Sequence, residues 1–290
     1  QMNEISKDEL MRGLLDVGVL KGYLEGGTPQ NGSFSGPLSG LIPVYKKWGK
    51  TPLETLDELR QKYPVLEGVP LSYAGRLDPL AEGLILVLVG ETNKDREKYL
   101  GLDKTYEVEI LFGIKTDTGD LFGLPCVDRG AQEKLVADTT TVLKSFVGKQ
   151  QFPYPVYSSK TVQGKPLFQW MNEGRISEIK IPKTDVEIYS LELSAVTSVR
   201  GSEILEKVEL ALNIVKGDFR YDEIRVGWND TLKDKSEVNF DVIKIVSECS
   251  SGTYMRVLAE EIGKKMGVPA LAYSIKRTKI GGIEFEQFAN

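Results

Sequence analysis

The feature that most constrains the fold is an uninterrupted apolar segment, residues 84–89, which reads Leu-Ile-Leu-Val-Leu-Val. An apolar run without polar alternation is typical of a strand that is buried on both faces. A glycine-flanked turn, Gly-Arg-Leu-Asp-Pro-Leu-Ala-Glu-Gly at residues 75–83, leads directly into this strand and places Asp78 at its edge. A carboxylate beside a buried strand costs on the order of several kcal/mol unless it is paired. Asp78 is therefore the first candidate functional residue.

The remaining patterns predict long strands and a few helices. Further strands are predicted at residues 42–45, 105–112, 185–196, 205–214 and 242–249, and helices at residues 52–63, 94–102, 133–147, 166–173 and 255–266. Residues 227–239 are polar and predict a surface insertion. Because strands and helices do not alternate regularly, we expect an α+β fold with a mixed, largely antiparallel sheet flanked by helices.

Two of the predicted helices have clear signals at their ends. Thr51, Pro52 and Glu54 form the pattern of a capping box with proline in the first turn. The last predicted helix has Thr253 as its expected N-cap and Gly267 as its stop.

Residues 1–40 are predicted to form an extension outside the folded domain. Residues 6–24 have an amphipathic pattern that predicts a helix, and residues 25–40 hold almost nothing that could be buried, which predicts a flexible linker. An alternative is that the helix docks a protein partner. A single folded domain is expected over residues 41–290.

The composition excludes several kinds of site. The chain contains no histidine, and its two cysteines, Cys126 and Cys249, lack zinc-ligand spacing. A metal site and histidine-dependent hydrolysis are therefore not expected, and acid–base work falls to Asp, Glu, Lys, Tyr or Arg side chains. No apolar stretch approaches the roughly 18 to 20 residues of a membrane span, and the charged first residues do not resemble a signal peptide. We therefore expect a cytoplasmic protein that does not bind membranes.

The net charge of −5 argues against nucleic-acid binding through bulk charge. RNA binding would require local basic patches that converge on one cleft, since each patch alone is typical of a solvated face. The candidate patches are Lys46-Lys47 with Lys50, Lys94 with Arg96 and Lys98, Lys160 with Lys165, and Lys276-Arg277 with Lys279.

The turn at residues 75–83 resembles motif II of the pseudouridine synthases, and Pro79 and Ala81 match the TruB branch of these enzymes. Three further segments are similar to TruB motifs: Asp-Lys-Thr-Tyr-Glu-Val at residues 103–108, the proline-rich and Tyr-Ser-containing residues 151–168, and Ser-Ser-Gly-Thr-Tyr-Met-Arg at residues 250–256. The lysine-containing turn at residues 46–50 resembles the first motif of the family. Together these segments span nearly all of the predicted domain.

The resemblance implies the pseudouridine synthase catalytic fold and an enzyme that isomerises uridine 55 in the T-loop of tRNA. It implies a monomer that binds the T-arm and uses neither a cofactor nor a metal. It assigns the catalytic carboxylate to Asp78, the active-site tyrosine to Tyr106, and the pairing with that aspartate to Arg256. By the same resemblance, the substrate-binding residues are Tyr73, Arg76, Lys46, Lys47, Tyr157, Ser158, Lys165 and Tyr254.

Periodicity alone would assign different roles to two of these residues. Tyr106 would be one more aromatic side chain on the buried face of a strand. Arg256 falls in the first turn of a predicted helix, where a cation opposes the helix dipole, so another group must hold it unless it lies at the surface.

Two features depart from the family's pattern. Tyr73 stands where the family usually has a histidine, and the chain ends at Asn290, which leaves no room for the expected PUA domain. One alternative is a synthase of the RsuA or RluA type that acts on ribosomal RNA. The Asp-Pro-Leu-Ala and Gly-Thr-Tyr-Met-Arg segments favour TruB over it. The other is an RNA-binding or RNA-folding factor without turnover, against which Asp78, Tyr106 and Arg256 argue.

Overall fold

The computed structural model describes residues 13–14, 38–126, 139–217 and 219–284. By its internal contacts the chain divides into two compact units. The first unit comprises Gln1–Lys104 and Lys276–Asn290, and the second comprises Thr105–Ile275. The range that the sequence predicts as one domain therefore contains residues of both units.

The secondary structure combines helices with antiparallel strand pairs, which confirms the predicted α+β class. The strands are β1 (Gly40–Lys46), β2 (Leu71–Ala74), β3 (Ala81–Val89), β4 (Lys104–Phe112), β5 (Lys115–Thr116), β6 (Pro125–Cys126), β7 (Gly148–Pro153), β8 (Thr161–Val162), β9 (Lys165–Pro166), β10 (Lys183–Arg200), β11 (Asn239–Cys249), β12 (Ala270–Ile280) and β13 (Ile283–Glu284). The α-helices are α1 (Pro52–Lys62), α2 (Arg96–Leu100), α3 (Thr139–Lys144), α4 (Leu167–Asn172), α5 (Gly201–Ile214), α6 (Tyr221–Leu232) and α7 (Met255–Met266). The helices predicted at residues 52–63, 94–102 and 166–173 are confirmed as α1, α2 and α4.

Strand β3 lies at the centre of the sheet in the first unit. It pairs antiparallel with β1 and with β2, and β12 is its other neighbour. Residues 84–89 are at most 1% exposed, which confirms the predicted strand with two buried faces. On one face, Leu84, Leu86 and Leu88 join an apolar cluster with Leu41 of β1.

Helix α1 begins with the predicted capping box. The Thr51 hydroxyl accepts a hydrogen bond from the Glu54 N–H at 3.1 Å, and the Glu54 carboxylate accepts one from the Thr51 N–H at 2.8 Å. Two backbone donors that the helix itself cannot satisfy therefore have partners. The cap fixes the point at which the chain leaves the turn at residues 46–50.

Substitution of the cap residue, Thr51→Ala, is expected to lower the free energy of unfolding by about 1 kcal/mol, because the Glu54 N–H loses its acceptor. Urea denaturation followed by circular dichroism measures the change. The matched control is Thr51→Ser, which keeps the hydroxyl and should stay close to the wild type. Equal losses in the two variants would contradict a role for the hydrogen bond.

In the second unit the strand order is β12, β4, β11, β10 and β7. The long strand β10 pairs antiparallel with β11 on one side and with β7 on the other. These strands confirm the predictions at residues 105–112, 185–196 and 242–249. Along β4, buried residues alternate with less buried ones, as the period-two pattern predicted.

Helices α5 and α6 form a helical hairpin that connects β10 to β11, and the strand predicted at residues 205–214 is wrong because this segment belongs to α5. Its buried residues Ile204, Val208 and Leu212 recur every four positions. That spacing places them on one face of a helix. The segment also contains apolar residues at alternate positions, which is why a short window suggested a strand.

The second half of the α5–α6 hairpin corrects another prediction. Residues 227–239 were expected to be a polar surface insertion, but α6 extends to Leu232, and Trp228 and Leu232 are fully buried. With Ile224 they form a narrow apolar stripe on an otherwise polar helix. Mean polarity over the segment conceals a stripe of this width.

Helix α7 ends as predicted at Gly267, whose φ of 74° lies in the left-handed region. Its predicted N-cap is wrong, because the N-cap position is occupied by Tyr254, whose side chain makes no capping hydrogen bond. The Thr253 hydroxyl instead donates to the Ser250 carbonyl at 2.9 Å. Thr253 therefore closes the preceding turn and does not cap the helix.

Two predicted helices lie partly or largely outside the described residues. Within the helix predicted at residues 6–24, Leu14 is described and forms an isolated parallel bridge with Leu41, so this residue is not helical. The described part of the helix predicted at residues 133–147 contains α3. None of the helices in the described residues is long and apolar enough to cross a membrane.

Candidate active site

The candidate carboxylate, Asp78, lies in the turn between β2 and β3 in the first unit. Its side chain is half-buried, and its carbonyl accepts a hydrogen bond from the Ala81 N–H at 3.0 Å. The flanking residues Gly75 and Gly83 have φ values of +77° and +110°. A Cβ at Gly83 would lie 2.2 Å from the carbonyl oxygen of Arg277, so only glycine permits this close approach of β12.

A buried arginine on β12, Arg277, holds both ends of this turn. It is 1% exposed, its Nε donates to the Leu84 carbonyl at 2.7 Å, and its Nη2 donates to the Gly75 carbonyl at 2.8 Å. Hydrogen bonds from a charged donor contribute about 1.5–3 kcal/mol each, so the guanidinium fixes the spacing between Gly75 and Leu84. The sequence suggested a solvated basic patch with Lys276 and Lys279, and the burial of Arg277 corrects that interpretation.

A second buried cation, Lys46 at the end of β1, ties the Asp78 turn to the turn at residues 46–50. Its Nζ donates to the carbonyls of Lys47 at 3.1 Å, Lys50 at 2.6 Å and Pro79 at 3.3 Å. Burial lowers the pKa of Lys46 to about 8, although the attraction of the Asp78 carboxylate acts in the opposite direction. The side chain stays largely protonated at neutral pH, and its three protons have three carbonyl acceptors.

The other predicted substrate contacts of the first unit lie closer to solvent. Tyr73 is half-buried on β2, and its carbonyl accepts a hydrogen bond from Nε of Arg96 at 3.2 Å. Arg76 and Lys47 are exposed. Of the three cations predicted to bind substrate in this unit, Lys46 is therefore enclosed and the other two face solvent.

In the second unit, Arg256 lies in the first turn of α7 and is 5% exposed. Its Nη1 donates to the Thr118 carbonyl, its Nη2 donates to the Tyr157 carbonyl at 3.3 Å, and its Nε lies 3.9 Å from the Asp120 carboxylate. These groups offset the unfavourable position of a cation at a helix N-terminus. The pairing of Arg256 with Asp78 stays a prediction.

A second arginine–carboxylate pair lies in the same unit. Nη1 of Arg220 donates to Oδ2 of Asp117 at 2.7 Å, and Oδ1 of Asp117 accepts from the Leu124 N–H at 2.8 Å. The Tyr157 hydroxyl donates to Oδ2 of Asp117 at 3.4 Å, and the Arg220 guanidinium lies 4.8 Å from the centre of the Tyr157 ring. Burial, reinforced by the Asp117 charge, raises the pKa of Tyr157 to about 12, so its phenol stays a hydrogen-bond donor at neutral pH.

Tyr106 and Ser158 belong to the second unit, where Tyr106 is buried and Ser158 is half-buried. Tyr106 is 8% exposed on the buried face of β4. The Ser158 hydroxyl is buried and has no hydrogen-bond partner in the described part of the chain.

Lys165 and Tyr254 lie nearer the surface of the same unit. Nζ of Lys165 donates to both carboxylate oxygens of Glu173, at 2.8 and 2.6 Å, and lies 4.5 Å from the centre of the Trp170 ring. Tyr254 contacts the Tyr154 ring edge to face, with centroids 5.9 Å apart. The Lys165 charge therefore has a carboxylate partner within the protein.

The structure brings two of the predicted residues, Tyr157 and Arg256, into direct contact. Two further carboxylates interact with arginines of this unit, Asp117 with Arg220 and Asp120 with Arg256. The sequence patterns did not identify either aspartate as a candidate site residue. A signal was present, because residues 116–120 read Thr-Asp-Thr-Gly-Asp between two strands. Such side chains commonly bond to nearby backbone groups and shape a loop.

The chemistry available at the Asp78 turn is that of a positioned carboxylate. Two buried cations fix its backbone, and its side chain remains partly accessible. This arrangement suits nucleophilic addition or proton transfer. In the described ranges, no group of three or more Cys, Asp or Glu side chains could hold a metal ion.

Comparisons with known proteins identify the family. A sequence profile described as TruB family pseudouridylate synthase (N terminal domain) matches residues 67–219. A tRNA pseudouridine synthase B of Thermosipho melanesiensis is 32% identical over 256 residues, which cover 87% of this chain and 67% of that protein. One of Psychrobacter cryohalolentis is 27% identical over 259 residues, which cover 86% of this chain and 58% of that protein. The chain therefore belongs to the TruB family of pseudouridylate synthases.

The fold has a counterpart among solved structures. The crystal structure of a Cbf5–Nop10–Gar1 complex matches with a TM-score of 0.50 and 16% sequence identity, over 85% of this chain and 50% of that one. At this identity the match shows a shared fold. It agrees with the pseudouridine synthase fold expected from the sequence.

Proposed function

We propose that this protein is a tRNA pseudouridine synthase that isomerises uridine 55 in the T-loop of tRNA. The observation that carries the proposal is the Asp78 turn, which lies within the matched residues 67–219 and is fixed by two buried cations. Relatives that match more than four fifths of the chain bear the name tRNA pseudouridine synthase B.

Pseudouridine formation breaks the bond between ribose C1′ and N1 of uracil, rotates the base and joins C1′ to C5. The C5 proton leaves, and N1 gains a proton. Because substrate and product are isomers, the reaction consumes no reductant, phosphate donor or other co-substrate. An ionised carboxylate can add to the base or to the sugar, or can accept the proton that leaves the sugar on a competing route. In this proposal Asp78 is that carboxylate.

The surroundings of Asp78 support a catalytic role. A catalytic group must be held within about 0.5 Å of its productive position by the residues around it. Arg277 holds the two ends of the turn, and Lys46 holds the carbonyl of Pro79, the residue next to Asp78. The half-buried Asp78 side chain can therefore keep its position while the uracil base binds.

Tyr106 and Arg256 complete the proposed catalytic group. Tyr106 would stack on the uracil ring and assist removal of the C5 proton, and Arg256 would pair with Asp78. A base stacked in a loop is out of reach, so the enzyme must extrude it at a cost of a few kcal/mol that stacking and pocket contacts offset. The proposed substrate contacts are Tyr73, Arg76, Lys46, Lys47, Tyr157, Ser158, Lys165 and Tyr254.

We further propose that the enzyme is a cytoplasmic monomer that binds the T-arm of tRNA. Exposed Arg76 and Lys47 are suited to phosphate contacts, and the ring of Tyr73 is suited to stacking against a base. For Lys46, whose ammonium has three carbonyl acceptors, the contribution to substrate binding is to shape the turn that carries Lys47.

The test uses purified protein with three unmodified RNAs, a tRNA transcript, a T-arm mini-helix and a ribosomal RNA transcript, each labelled with tritium at C5 of uridine. Release of tritium and a pseudouridine that maps to position 55 would establish both the reaction and the substrate. Release from ribosomal RNA alone would move the protein to a synthase of the RsuA or RluA type. Tight binding of all three RNAs without release would identify an RNA-binding factor.

A further inference from the structure

The α5–α6 hairpin has a surface that does not favour RNA. Residues 201–238 carry nine acidic and six basic residues, a net charge of −3. A segment that contacts phosphates directly needs the opposite balance. The hairpin therefore acts through its contacts with other segments of the second unit.

One face of the hairpin packs against the loop at residues 113–126. The indole Nε1 of Trp228 donates to the Gly123 carbonyl at 3.1 Å, and both groups are buried. The ring of Phe122 meets the ring of Phe219 edge to face, with centroids 5.1 Å apart. The loop therefore takes part of its shape from a helix that is more than 100 residues away in sequence.

Arg220, immediately before α6, adds an ionic link to this packing. It binds Asp117 at 2.7 Å, and the Asp117 side chain is 13% exposed, so the pair is only weakly screened by solvent. The same carboxylate accepts hydrogen bonds from the Tyr157 hydroxyl and the Leu124 N–H. Asp117 thus joins three segments of the second unit at a single point.

This junction leads directly to Arg256. The carbonyls that hold the Arg256 guanidinium belong to Thr118, which follows Asp117 in the chain, and to Tyr157, whose hydroxyl binds Asp117. We propose that Arg220 is a positioning residue for pseudouridine formation, which holds the guanidinium of Arg256 in place through Asp117 and Tyr157. The catalytic part of this proposal rests on the proposed function, in which Arg256 pairs with the catalytic aspartate.

The chain contains a matched ion pair that should lack this effect. Arg225, in the second turn of α6, binds Glu209 of α5 at 3.1 Å, and both side chains are more than one third exposed. This pair links the two helices of the hairpin, and the Arg225 side chain has its hydrogen bonds and ion pairs with Glu209 and Asp222, both in the hairpin. Arg225→Met therefore removes a comparable charge from the same hairpin and serves as the control.

The experiment compares wild-type protein with Arg220→Met, Arg220→Lys and Arg225→Met in steady-state kinetics with the T-arm mini-helix. We expect Arg220→Met to lower kcat about 10- to 100-fold with KM within about twofold, because a misplacement of about 1 Å carries a penalty of this size. Arg220→Lys keeps the charge and should recover part of the loss. Arg225→Met should retain wild-type kcat. Equal kcat values for Arg220→Met and Arg225→Met would overturn the proposal.

A second measurement separates failure of this proposal from failure of the proposed function. Amide hydrogen exchange at Leu124, whose N–H donates to Asp117, reports the loop in the absence of RNA. Arg220→Met should raise its exchange rate about tenfold or more, whereas Arg225→Met should not. If the wild type is inactive on every RNA tested, increased exchange still supports the positioning role. Unchanged exchange in Arg220→Met overturns it.

Discussion

Replacement of Asp78 by alanine is expected to abolish pseudouridine formation and to leave tRNA binding largely intact. The proposed reaction has one essential carboxylate, and loss of a catalytic nucleophile or base lowers kcat by about 10⁴-fold or more. RNA binding depends on many phosphate and stacking contacts that the substitution does not remove. Asp78→Asn should be equally inactive, because it keeps the size of the side chain and removes its charge.

The measurement is single-turnover tritium release at saturating protein, together with filter binding of the same RNA. The matched control is Glu82→Gln, which removes a carboxylate four residues further along, at the start of β3, where it interacts with the Tyr45 hydroxyl. This variant should keep wild-type turnover. Residual turnover of Asp78→Ala within about 100-fold of the wild type would exclude Asp78 as the essential group.

Local patterns predicted five of the thirteen strands in the described residues, namely β1, β3, β4, β10 and β11, because in these strands the apolar pattern follows directly from which faces are buried. Residues 84–89 are apolar without interruption and lie in a strand with two buried faces. In β4, apolar and polar residues alternate over most of the strand, and one face is buried. The capping box at Thr51 likewise depends on residues three positions apart. In each case the determining contacts are local or follow directly from which face is buried.

The α5–α6 hairpin could not be predicted in the same way. Its polar character conceals a single stripe that ends in Trp228 and Leu232, and the partner of that stripe is a loop far away in sequence. A segment of only a few residues shows its mean polarity or an apparent alternation of apolar residues, but not the helical period. The helical period becomes evident only when the buried face has a known partner.

The internal partners of the buried cations are also outside the reach of sequence patterns. Charge clusters are usually solvated, so the sequence pattern predicts that Lys46 and Arg277 lie at the surface with neighbouring lysines, yet both side chains have carbonyl acceptors around the Asp78 turn. A carbonyl acceptor leaves no residue-type signature, since every residue has one. For Arg256, in contrast, the unfavourable position at a helix N-terminus indicated from sequence alone that other groups must hold it.

Arg277→Met should produce the largest loss of stability among these substitutions. Methionine fills a similar volume but leaves the carbonyls of Gly75 and Leu84 without the donors that hold them, and each unsatisfied buried acceptor costs about 1–3 kcal/mol. The free energy of unfolding should therefore fall by about 2–5 kcal/mol. Turnover per folded molecule should fall about 100-fold, because the Asp78 turn loses its fixed ends.

Urea denaturation and single-turnover tritium release measure these two effects separately. Lys279→Met provides the control on the same strand, since Lys279 is one third exposed and pairs with Glu284 at 3.7 Å, a surface pair that contributes only about 0–1 kcal/mol. Arg277→Lys keeps the charge, but a single Nζ cannot occupy the positions of both Nε and Nη2, so this variant should lie between methionine and the wild type. If Arg277→Met and Lys279→Met were equally stable and equally active, the spacing between Gly75 and Leu84 would not depend on the guanidinium. The rigidity of the Asp78 turn would then have to come from Lys46 and from the close approach of β12 at Gly83.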